Sequence, residues 1–111
     1  MIQTTNAVRD DQVAGTDSAR ALEAVRELRG MIAELPDEAR SRAGWALVDM
    51  EDELCQPDPD RDVMALRLWR LTELLQGSGL AVEPGAPPYE PIAEIATWVG
   101  PLGRALLARL G

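Results

Sequence analysis

The chain has 111 residues, 46% of them apolar and 27% charged, with a formal net charge of −8, one cysteine and no histidine. That length and balance predict a single globular domain rather than a disordered chain. They also exclude Ser-His-Asp and Cys-His catalysis, histidine proton shuttles, histidine-containing zinc sites and an intrachain disulfide.

All eleven basic residues are arginine, and phenylalanine is absent. The missing lysine reads first as codon usage of a high-GC genome, and the Ala/Leu-rich apolar fraction favours helices. An acidic surface repels phosphate backbones, so no direct nucleic-acid contact is expected; Arg61, Arg67 and Arg70 are the only basic cluster. No basic segment followed by an apolar run opens the sequence, and no stretch reaches the roughly 18 uncharged apolar residues of a membrane span. A cytoplasmic location without a transmembrane segment is the expectation.

Residues 1–16 are polar and aperiodic, and read as a flexible N-terminal arm that orders only on a partner. The helical domain is expected over residues 17–111. Thr16, Asp17 and Ser18 offer caps for a first helix running to about Glu34, with Leu22, Val25, Leu28, Ile32 and Leu35 as its apolar stripe. Leu35-Pro36 interrupts it, because proline disfavours helical geometry in the residue before it and suits the first turn of the helix that follows. A connection this short predicts an antiparallel hairpin. The second helix reaches about Cys55 on a stripe of Ala39, Ala43, Ala46, Leu47, Met50 and Leu54. Trp45 and Val48 lie off that stripe; they face either the central helix or an interface, and core packing is the default for a Trp.

The most strongly marked element is Asp58–Gly79. Asp58 reads as its N-cap and Pro59 as its first helical residue, with Asp60 and Asp62 favourable at the positive end of the helix dipole. Gly77 and Gly79 supply stop signals. Met64, Leu68, Leu71 and Leu75 form one apolar row, and Val63, Leu66 and Leu74 form a second, which predicts a central helix with neighbours on two sides. Leu80 to Glu90 reads as a proline-rich crossover with Leu80 and Val82 laid across the core. Pro91 then opens a last helical segment carrying Ile92, Ile95, Ala96, Val99, Leu102, Leu106 and Leu110, which Gly100-Pro101 kinks or splits. The expected fold class is therefore all-α: a four-helix bundle-like domain of hairpin, central helix, crossover and broken C-terminal helix.

Three groups invite a chemical reading. Asp49, Asp52 and Glu53 fall along one acidic stretch and, with a second acidic group supplied by Glu73 or by the Asp58–Asp60–Asp62 turn, are the candidates for holding Mg²⁺ as all-α nucleotide pyrophosphohydrolases do; a solvated face is the simpler account. Asp58-Pro59-Asp60-Arg61-Asp62 opens like a calcium loop. Val63 stands where that loop needs glycine, however, and Trp69 where it needs the bidentate glutamate, so helix capping explains the aspartates. Cys55 sits among Glu51, Asp52, Glu53 and Asp58, whose charge opposes a reactive thiolate. No phosphate-cradling glycine motif occurs, and no cofactor is expected.

Trp69 and Trp98 fit a core, and Trp98, beside the Gly100-Pro101 break, fits an interface equally well. Trp45, Trp69, Trp98, Leu106 and Leu110 are the candidates for contact with another chain.

The helical spacing of the AALxxV type, the LPDEAR helix start and the C-terminal IAEIATWVGPLGRALLARL segment resemble the small helical accessory domains that high-GC bacteria encode beside conflict-system effectors, often called effector-associated domains. The resemblance implies an adaptor that recruits or dimerises through helix–helix contacts, and it carries no site residues over. The leading expectation is thus a non-catalytic, homodimeric interaction module. The alternatives are the Mg²⁺-dependent hydrolase and an antitoxin-like regulator whose acidic face neutralises a basic partner.

Overall fold

The computed structural model describes residues 18–111, so the arm and the caps at Thr16 and Asp17 lie outside the described residues. The described residues are all-α, with no strand among them. Five helices pack in sequence: α1 (residues 18–31), α2 (Asp37–Leu54), α3 (Arg61–Gly77), α4 (Tyr89–Val99) and α5 (Pro101–Leu110).

Helix α1 ends at residue 31 and tightens into a 3₁₀ turn at Ile32–Glu34, slightly before the expected boundary. Leu35 is extended, as the residue before a proline should be. Descending positions of α1 then meet ascending positions of α2. A Cβ at Gly44 would lie 3.8 Å from Ile32 Cδ1, while Arg26 Nε and Arg29 Nη1 reach the Glu51 carboxylate at 3.3 and 3.0 Å. That register makes the pair the expected antiparallel hairpin. Its seam is apolar, with Ala21, Val25, Leu28 and Ile32 buried on one side and Ala43, Leu47, Met50 and Leu54 on the other. The Glu51 ion pairs lie at its partly exposed margin, where such pairs are worth under about 1 kcal/mol.

The cap of α3 is Asp60 rather than Asp58. Its Oδ1 accepts from the backbone N–H groups of Asp62 and Val63 at 2.9 and 3.2 Å. Its own N–H donates to Glu53 Oε2 at 2.9 Å. A carboxylate from the end of α2 therefore chooses which of three neighbouring aspartates starts the helix. The other end closes as expected. Gly79, at φ +89°, takes the left-handed conformation, Leu80 N–H donates to Leu75 C=O and Gly79 N–H to Gln76 C=O, both at 3.0 Å. This is the Schellman pattern, which satisfies two carbonyls that the helix end would otherwise leave bare.

Helix α3 is central, packing against α2, α4 and α5. Met64, Ala65, Leu68, Leu71, Thr72 and Leu75 are buried along it, and the Thr72 hydroxyl donates to Leu68 C=O at 2.9 Å. The second apolar row is only partly covered: Val63 and Leu74 are half-buried, and Leu66 is 53% exposed. The crossover lays Val82 into the core.

Helix α4 begins at Tyr89, two residues before Pro91. Pro91 thus falls in the first turn, where its absent N–H has no intrahelical acceptor to lose. The C-terminal segment is split rather than kinked. Gly100 (φ 103°, ψ −138°) turns the chain in one residue, and Pro101 opens α5 at its first position. At the crossing that follows, a Cβ on Gly103 would fall on the backbone of Ala96, 2.6 Å from its carbonyl carbon. Only glycine lets the two helices approach so closely. Among the described residues no helix is long and apolar enough to cross a membrane.

Candidate functional site

The helical phase of α2 aims its solvent ridge. Ala43, Leu47, Met50 and Leu54 point into the core, and Trp45, two residues from both Ala43 and Leu47, stands about 200° round the helix from each. Trp45 is accordingly 70% exposed. This overturns the default of core packing for that residue. Among the described residues no neighbouring element reaches far enough round α2 to cover a side chain opposite the core. Glu38, Arg42, Asp49 and Asp52 share the ridge, and Arg42 Nη2 donates to Glu38 Oε1 at 2.9 Å. All four are exposed.

Beside this ridge runs an open groove between the start of α2 and the end of α3, lined by Pro36, Glu38, Ala39, Arg42, Glu73, Leu74, Gly77 and Ser78. Glu73 therefore lies at the opposite end of α2 from Asp52 and Glu53. Glu53 is committed to the Asp60 N–H, while Asp49 and Asp52 are exposed. The four carboxylates of the hydrolase reading do not converge. No group of three metal-ligating side chains comes together among the described residues.

The other candidates for partner contact divide. Trp98 is buried at 8% exposure and Leu106 at 3%, which removes both from the surface. Arg61 lies over the Trp98 ring at 4.4 Å and its guanidinium donates to the Trp98 carbonyl. Trp69 is half-buried beneath Arg109, 5.0 Å from the ring centroid, and Leu110 is partly buried. Leu102, at the start of α5, is 51% exposed.

One charged feature is visible only in three dimensions. Glu23 and Glu27 on α1 and Glu90 and Glu94 on α4 line a shallow groove with Arg20, Ala24 and Pro91. Each pair is spaced i, i+4, so each pair shares a helix face. The spacing is legible in the sequence, whereas the meeting of residues more than sixty positions apart is not. At about 260 Å³ the groove falls below the roughly 300–1,000 Å³ usual for small-molecule sites. Cys55 is exposed and unpaired among the described residues.

No protein-family model, curated protein or solved structure matches this chain.

Proposed function

We propose that the protein is a non-catalytic helical interaction module: a cytoplasmic adaptor that joins proteins through helix–helix contact, is itself a homodimer, and serves a bacterial conflict or regulatory system of the effector-associated kind. The observation that carries this reading is Trp45, held at 70% exposure on a regular helix whose core is complete without it. A tryptophan presents about 150–250 Å² of surface, so covering its exposed part at about 25 cal/mol per Å² releases about 3 kcal/mol. That is the size of an interface hot spot, a role in which Trp is enriched. Nothing in the groove beside it supplies a nucleophile with a base or a metal-binding constellation, and the net charge of −8 disfavours nucleic acid as the partner.

The test is mass by light scattering across a concentration series. A dimer is expected at high concentration, and a strict monomer there would remove the homodimer half of the proposal.

A second reading, an antitoxin-like regulator that receives a basic partner, rests on the α1/α4 groove with its four glutamates against one arginine. Such binding would weaken steeply with salt. Salt-insensitive capture, or capture unchanged by Glu23→Gln with Glu94→Gln, would rule it out.

A further inference from the structure

We infer that two copies of this chain pair antiparallel through the α2 ridge, with a two-fold axis passing beside Trp45; this inference rests on the homodimer reading above and assigns its interface. The ridge is self-complementary about that one residue. Arg42 lies three positions before Trp45 and Asp49 four positions after it, displaced along the helix by about 4.5 and 6 Å. Both are rotated to the same side of the ridge, by roughly 60° and 40° from the Trp45 direction. A two-fold axis perpendicular to α2 at Trp45 preserves that side and reverses the helix direction. It therefore sets Arg42 against the partner's Asp49, and by symmetry Asp49 against the partner's Arg42, while Trp45 packs on the partner's Trp45. Ser41 and Val48, on the other side of the ridge, meet in the same way.

An isologous contact needs a patch that complements itself. A central aromatic flanked by one charge of each sign, at nearly equal distances and on one side, meets that requirement. The present partner of Arg42 is Glu38, with side chains 68% and 81% exposed, so little holds the guanidinium to its own chain. The same operation places Glu38 opposite the partner's Asp52, a like-charge contact about 10 Å from the axis. The proposed dimer is therefore one that a single substitution should tighten.

The symmetry dictates the experiment. Arg42→Asp alone sets acid against acid at both pairs, and Asp49→Arg alone sets base against base. Mixed, the two variants restore both pairs in a heterodimer. Sedimentation equilibrium should show each variant alone dissociating at least about tenfold more readily than the native chain, and the equimolar mixture recovering dimer. Trp45→Ala should weaken the dimer at least about tenfold, and Asp52→Arg should tighten it. All four positions are exposed, and circular dichroism is the check that each variant is folded. A native dimer that is indifferent to Trp45→Ala, or a mixture that fails to heterodimerise, overturns this interface and leaves the homodimer standing. A native chain that stays monomeric at high concentration overturns both.

Discussion

Arg61 and Trp98 are joined twice: the guanidinium stacks over the indole and also donates to the backbone carbonyl of the same residue. The double link follows from the break between α4 and α5. A carbonyl in the last turn of α4 has no intrahelical donor, because the chain turns at Gly100 and restarts at Pro101. An arginine from the first turn of α3 supplies the missing donor and covers the ring beside it.

Arg61→Ala should therefore lower stability by about 1–2 kcal/mol, combining a cation–π contact with a hydrogen bond from a charged group. In a domain of this size that is a fall of roughly 4–15 °C in Tm. Arg61→Lys should recover only part of it, since a point charge cannot both stack and donate in one plane. Calorimetry with tryptophan emission reads both effects, and a native Tm in Arg61→Ala would refute the account.

The α4/α5 crossing predicts an asymmetry between glycines. Gly103→Ala drives a methyl into the Ala96 backbone, which cannot yield as a side chain would, and should cost about 3 kcal/mol or abolish folding. Gly30→Ala, in a helix with nothing within 4 Å of the added carbon, should stabilise by about 0.5–1 kcal/mol. Urea midpoints of the two variants must move in opposite directions.

The cap of α3 separates two aspartates two residues apart. Asp60→Ala removes the acceptor for the Asp62 and Val63 N–H groups and should cost about 1 kcal/mol. Asp58→Ala, exposed and outside the cap, should change stability by less than about 0.5 kcal/mol. The reverse order in thermal denaturation would return the cap to Asp58.

Metal dependence is expected to be absent. Adding Mg²⁺ or Mn²⁺ should leave the thermal midpoint of the native chain and of Asp52→Ala unchanged, because Asp49, Asp52, Glu53 and Glu73 do not share a site. A metal-induced rise lost in Asp52→Ala would revive the hydrolase.

These contrasts show what could be read from residues alone. The ends of α2 and α3 near Cys55 and Gly77 were legible because proline and glycine act on their own backbone and need no distant partner. The choice of Asp60 over Asp58 was not, since Glu53 makes it through a contact that exists only once α2 and α3 are side by side. Trp45 and Trp98 look alike in sequence, each amid Ala and apolar residues, yet they finish on opposite sides of the surface. For Trp45 the signal was present in the α2 stripe itself, which places it half a turn from Ala43 and Leu47. For Trp98 it was hidden, because the arginine that covers its ring, Arg61, arrives from α3, far away in the sequence. The α1/α4 glutamates show the same limit: helical spacing identifies a face, and only packing supplies the face opposite.

The close Gly103 crossing belongs to a wider regularity, in which each helix packs against the one that precedes it, from the α1/α2 hairpin to the α4/α5 corner. Contacts of this kind join residues near one another in the chain, and helical proteins dominated by them fold in microseconds to milliseconds. Such a chain closes pair by pair as its helices form, and spends little time with its apolar stripes open to aggregation.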